Sequence, residues 1–128
     1  MMEEFIVTQT KSSPRIHFNP ITHRHVITGE SYPENCIEFY KPMFAWLAVY
    51  LGSVYSVTVE VSFDVLYINS SSSRVFVELF DLLEDAASLT TEVVVNWHYH
   101  EDNELALECG EDFMEDVQNI QFNLVSYQ

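Results

Sequence analysis

Ser56-Val57-Thr58-Val59-Glu60-Val61-Ser62-Phe63-Asp64-Val65-Leu66-Tyr67-Ile68 alternates apolar and polar residues as far as Val65 and then turns apolar on both faces. Successive side chains of an extended chain point to opposite sides, so this run reads as one long strand entering the core. Asn69-Ser70-Ser71-Ser72-Ser73 follows at once, and Val75, Leu79, Leu82, Leu83 and Ala86 then recur at helical steps. A strand feeding directly into an amphipathic helix is the first half of a βαβ unit, and Val93 to Tyr99 supplies the next strand. Leu105, Cys109, Phe113 and Val117 give a further helix stripe, and Ile120 to Tyr127 a last strand.

Upstream, three β-like runs, Phe5 to Thr10, Ile16 to Asn19 and Arg24 to Thr28, are separated by Ser12-Ser13-Pro14 and Asn19-Pro20 and closed by Gly29. They read as a small antiparallel meander. Ile37, Tyr40, Phe44, Leu47 and Leu51 then form a helix stripe ending at Gly52. Within it Pro42 lacks an amide donor and either kinks the helix or opens its main part. The element order is therefore βββαβαβαβ, an α/β fold with a mixed sheet, parallel in its second half. Residues 1–128 are expected to form a single domain, with no internal repeat.

The chain holds 5 Lys and Arg against 20 Asp and Glu, a net charge of −15, with 48% hydrophobic residues to build a core. Four of the five bases lie within residues 1–41, so the rest of the chain is almost uniformly acidic. Such a surface repels phosphate backbones and anionic headgroups, which argues against nucleic acid and membrane as partners. Two cysteines, Cys36 and Cys109, make no disulfide framework. The start Met-Met-Glu-Glu has no signal-peptide character, so the expected location is cytoplasmic.

The serine run stands at the carboxyl end of a central strand, where open α/β sheets tend to place their sites. Asn69 or a serine there caps the helix, and a phosphorylated serine would meet free amides and the positive end of the helix dipole. Arg74, one turn beyond Ser70, is placed to pair with such a phosphate. No Gly-x-Ser-x-Gly turn presents a nucleophile, so serine hydrolysis is not expected. His23-x-His25 and His98-x-His100 each place two rings on one strand face, but no Cys or acid completes a metal ligand set, and we read them as polar outer surface. The acids of residues 101–116, running from Glu101 and Asp102 to Glu115 and Asp116, suit partner choice better than catalysis. A small metal-binding protein and a structural oligomerisation subunit are the rival readings.

Three segments taken together carry a family resemblance: Gly29-Glu30-Ser31-Tyr32-Pro33-Glu34-Asn35, Leu66-Tyr67-Ile68-Asn69-Ser70-Ser71-Ser72, and Trp97-His98-Tyr99 followed by Asp102-Asn103-Glu104 and Glu111-Asp112-Phe113. In this order and spacing, over about residues 7 to 127, the chain resembles the SiaC family of bacterial regulatory phosphoproteins. The resemblance implies a STAS-like fold, as in anti-sigma-factor antagonists, and a non-enzymatic partner-switching role without cofactor or metal. The unphosphorylated form would bind and activate a diguanylate cyclase (a GGDEF protein), controlling cyclic di-GMP and biofilm formation. A dedicated kinase would phosphorylate it and a PP2C-type phosphatase would restore it. The family's acceptor threonine falls at Ser70, with Ser71 and Ser72 as alternatives and Asn69 and Arg74 as switch support. Tyr32, Pro33, Glu34, Asn35, Tyr67, Asp102 and Asn103 are the expected partner interface.

Overall fold

The computed structural model describes residues 2–87 and 91–128. Its elements are β1 (Phe5–Val7), β2 (Arg15–Phe18), β3 (Arg24–Ser31), α1 (Cys36–Ser53), β4 (Thr58–Ile68), α2 (Ser70–Ala87), β5 (Glu92–His100), α3 (Glu104–Asp116) and β6 (Gln121–Tyr127). The strands form one sheet in the order β1-β2-β3-β4-β5-β6. The β1–β2 and β2–β3 pairs are antiparallel, and the β3–β4, β4–β5 and β5–β6 pairs are parallel.

Strand order equal to sequence order has a direct steric result. Each parallel connection crosses over right-handedly and steps the same way, so all three helices fall on one face of the sheet. Along β4, Val59, Val61, Phe63 and Val65 are buried, while Glu60, Ser62 and Asp64 between them look out from the uncovered face. The core lies between this sheet and the helices, with Phe76, Leu79, Phe80 and Leu83 of α2 against Phe63 and Trp97. Trp97 Nε1 donates to the Ala106 carbonyl at 2.9 Å, fixing α3 on the sheet. Gly110 permits that approach, because a Cβ there would stand 2.5 Å from Trp97 Cδ1.

The structure corrects several sequence expectations. Ile37 is 75% exposed, and α1 instead buries Cys36, Tyr40, Met43, Leu47 and Tyr50. Asn35 caps the helix and sets its phase, so the buried stripe is rotated from the predicted one. Pro42 does not open the helix, which runs through it from Cys36 to Ser53. It lies on the exposed side, where the Glu38 carbonyl that loses its donor faces water. Gly29 does not end β3 but sits inside it at φ 118°, and the β3–β4 register slips between Gly29 and Glu30.

That slip shapes the edge of the sheet where β3 and β4 end. Gly29 pairs with Val65 and Glu30 with Tyr67, leaving Leu66 as an extra, bulged residue. On its other side, β4 pairs with β5 only as far as Phe63 and Trp97. The carboxyl end of β4 therefore splays from β5. Leu66 and Tyr67 are each 49% exposed there, although the sequence pattern places this stretch in the core.

Candidate functional site

The carboxyl ends of β3, β4 and β5 and the amino ends of α1, α2 and α3 share one edge of the molecule, because each helix follows its strand almost immediately. Each helix begins on an asparagine. Asn35 Oδ1 accepts from Glu38 N at 3.3 Å, Asn69 Oδ1 from Ser72 N at 2.9 Å, and Asn103 Oδ1 from Ala106 N at 3.1 Å. These three caps stand at equal intervals along the chain, a structural periodicity that apolar patterning hides. Three helix dipoles thus point their positive ends at one edge. Asn103 also donates from Nδ2 to the Leu66 carbonyl at 3.1 Å, satisfying a backbone group that the splayed sheet leaves without a ladder partner.

Of the candidate acceptors, Ser70 and Ser71 are exposed, and neither hydroxyl has a partner among the described residues. Ser72 differs. Its exposure is 0%, and its Oγ lies 2.7 Å from Ser31 Oγ and 3.5 Å from Cys36 Sγ. Ser31 Oγ is in turn 2.5 Å from the Tyr40 hydroxyl. Burial raises the Tyr40 pKa above the ordinary phenol value, opposed in part by the Ser31 bond, so the phenol stays protonated. This polar cluster bolts the first turn of α2 to β3 and α1, and Asn69 N adds a bond to the Ser31 carbonyl at 3.1 Å. Of the three candidate acceptors, Ser72 alone is closed to solvent in the fold.

The predicted interface residues gather on the same edge. The rings of Tyr32 and Tyr67 meet edge-on at 5.8 Å. Pro33 is half-buried, Glu34 and Asp102 are exposed, and Asp102 N donates to His100 Nδ1 at 3.0 Å. Arg74 is exposed in a groove of about 550 Å³ between α1 and α2 that also takes in Ser71 and Lys41. Among the described residues neither base is held in an ion pair, so both remain open to an anion. Leu66 and Leu105, read from the sequence as core positions, are corrected here to exposed ones at 49% and 69%, since α3 buries Ala106, Gly110 and Phe113 instead.

The histidine pairs part company. His98 and His100 lie on the uncovered sheet face, as expected of polar outer surface. His23 and His25 instead face the helix layer, both rings packing on Tyr50. His25 is 1% exposed, accepts from Asn19 N at 3.2 Å, and has no partner for Nε2 among the described residues. Burial, with smaller contributions from His23 and His17, lowers its pKa to about 4. Among the described residues no three His, Cys, Asp or Glu side chains converge in a metal-holding group. No helix there is long and apolar enough to cross a membrane.

Residues 7–127 match the SiaC family of regulatory phosphoproteins. The chain belongs to the SiaC family. It is 32% identical over 115 residues to an uncharacterized protein of Pseudomonas aeruginosa (strain UCBPP-PA14), covering 90% of each chain. Its fold superposes on SiaC of Pseudomonas aeruginosa with TM-score 0.87 at 28% identity, over 98% of this chain and 100% of that one. A chain in the crystal structure of the diguanylate cyclase SiaD in complex with its activator SiaC, also from Pseudomonas aeruginosa, matches with TM-score 0.90 at 30% identity, over 96% of this chain and 99% of that one. The six-stranded mixed sheet with three helices is thus the architecture of a SiaC-family protein.

Proposed function

We propose that this SiaC-family chain is a non-enzymatic regulator that binds and activates a diguanylate cyclase, and that phosphorylation of Ser70 turns the interaction off. The observation that carries the reading is the exposed Ser70 hydroxyl, without a partner among the described residues, at the first residue of α2, next to an exposed aromatic and aliphatic surface, in a fold whose relative SiaC is solved as the activator of SiaD. Ser72 holds that helix turn rigidly from beneath, so a phosphoryl group on Ser70 would change charge and hydration without unwinding the helix. The amino end of α2 stabilises the dianion within the fold, and Arg74 one turn on offers it a counter-charge. A partner packing on Tyr67 would then have to desolvate a charge of about −1.5 to −2.

The cycle requires a protein kinase to add the phosphate and a PP2C-type phosphatase to remove it, with all partners in the cytoplasm and cyclic di-GMP output governing biofilm formation. Asn69 holds the turn, and Tyr32, Pro33, Glu34, Asn35, Tyr67, Asp102 and Asn103 frame the partner surface. Calorimetric titration of the host's GGDEF cyclase with Ser70→Ala and Ser70→Asp tests the reading. The alanine variant should bind and activate as wild type does, while the aspartate variant should bind at least about tenfold more weakly with unchanged circular dichroism. Equal affinities for the two would move the switch to Ser71 or remove it.

A further inference from the structure

Where β4 splays from β5, the gap is not filled. Val65, Leu66, Tyr67, Ile68, Trp97, Leu105, Ala106 and Cys109 enclose a slot of about 120 Å³, room for one leucine- or methionine-sized side chain. Its mouth is apolar, with Leu66 and Tyr67 each 49% and Leu105 69% exposed. Isolated exposed apolar residues are ordinary, but three around a preformed cavity are what an anchor pocket at an interface requires. The rim has one sign of charge. Glu101, Asp102, Glu104 and Glu108 are all exposed on the α3 side, and no Lys or Arg occurs anywhere from residue 75 to residue 128.

We infer that this slot receives a single apolar side chain of a partner segment that carries Lys or Arg beside the anchor. Apolar burial in the slot supplies the affinity, and the acidic rim selects the flanking bases and speeds encounter. The inference rests on the reading above and adds to it a pocket and the chemistry of its occupant. The slot lies toward α3, and the groove toward α1 balances Arg74 and Lys41 with Glu34 and Glu78, so the one-signed rim of this edge is that of the slot.

The test uses the full chain and the host's GGDEF cyclase. Leu105→Asp places a charge at the slot mouth on an already exposed position, and Cys109→Phe fills the slot without adding charge. Ile21→Asp and Tyr55→Asp, at positions 68% and 72% exposed near the opposite ends of the strands, serve as controls. Both slot variants should lose at least about tenfold in affinity while the controls stay within about twofold of wild type. Glu104→Lys combined with Glu108→Lys should weaken binding and flatten its salt dependence. Wild-type affinity in the folded Leu105→Asp variant, or an unchanged salt slope in the double charge reversal, would overturn the slot assignment and leave the functional reading standing. Failure of wild type to bind the cyclase would remove both.

Discussion

Ser70 and Ser72 share a side chain, a helix turn and a motif, yet one hydroxyl is open to solvent and the other is sealed against Ser31 and Cys36. The difference lies in contacts across 41 and 36 positions of chain, which no local pattern encodes. His25 shows the same gap between sequence and environment. A His-x-His pair reads as surface, but His25 packs edge-on against Phe18, Tyr50 and Trp46. Its pKa is lowered to about 4 in the fold, against the ordinary imidazole value of 6.5 when unfolded, so between these values the unfolded chain binds more protons. Stability should therefore fall as pH drops from about 6.5 to about 4, by up to about 3 kcal/mol, with no further loss from this group below that. Urea unfolding of wild type and His25→Gln at pH 7 and pH 4.5 checks this: the variant, which cannot titrate, should lose clearly less.

Between elements, two contacts hold α2 and α3 in place. Glu84 near the end of α2 accepts from the backbone N–H of Gln118, Asn119 and Ile120, at distances from 2.8 to 3.1 Å, and so ties α2 to the α3–β6 connection. Burial alone would raise its pKa, but the hydrogen bonds outweigh it and the net direction is down. Its stabilisation is then present above the ordinary carboxylate range and is lost as pH falls through the folded value. Glu84→Gln should cost about 1–2 kcal/mol at pH 7 and less in acid, read from denaturant midpoints. Gly110→Ala should destabilise by about 1–3 kcal/mol, because the new methyl meets Trp97 and Leu124 and must push α3 outward; a shifted tryptophan emission would report the movement. The type and order of the elements were legible because period-2 and helical patterns are strong over runs this long. The phase of α1, the passage of β3 through Gly29 and the Leu66 bulge were not, since each depends on a cap or a pairing partner distant in the chain. For the same reason the serine motif and Tyr32–Tyr67 edge could be located in advance, whereas the slot beside them could not.

For the whole molecule, the net charge of −15 sets a background against which every partner acts. The chain repels itself, so screening should stabilise it: the melting temperature should rise by a few degrees as NaCl goes from about 0.02 to about 0.3 M, and a fall would show that specific ion pairs dominate instead. One further consequence follows from the sheet order β1-β2-β3-β4-β5-β6. Every strand is hydrogen-bonded only to strands that precede or follow it directly in sequence, so no segment must wait for a distant one before it can be placed. Loop-closure entropy is met in modest increments, and each new strand adds to a template already emerging ahead of it. The strand order thus lets the sheet grow in the direction of synthesis, each helix cap forming behind the strand it follows.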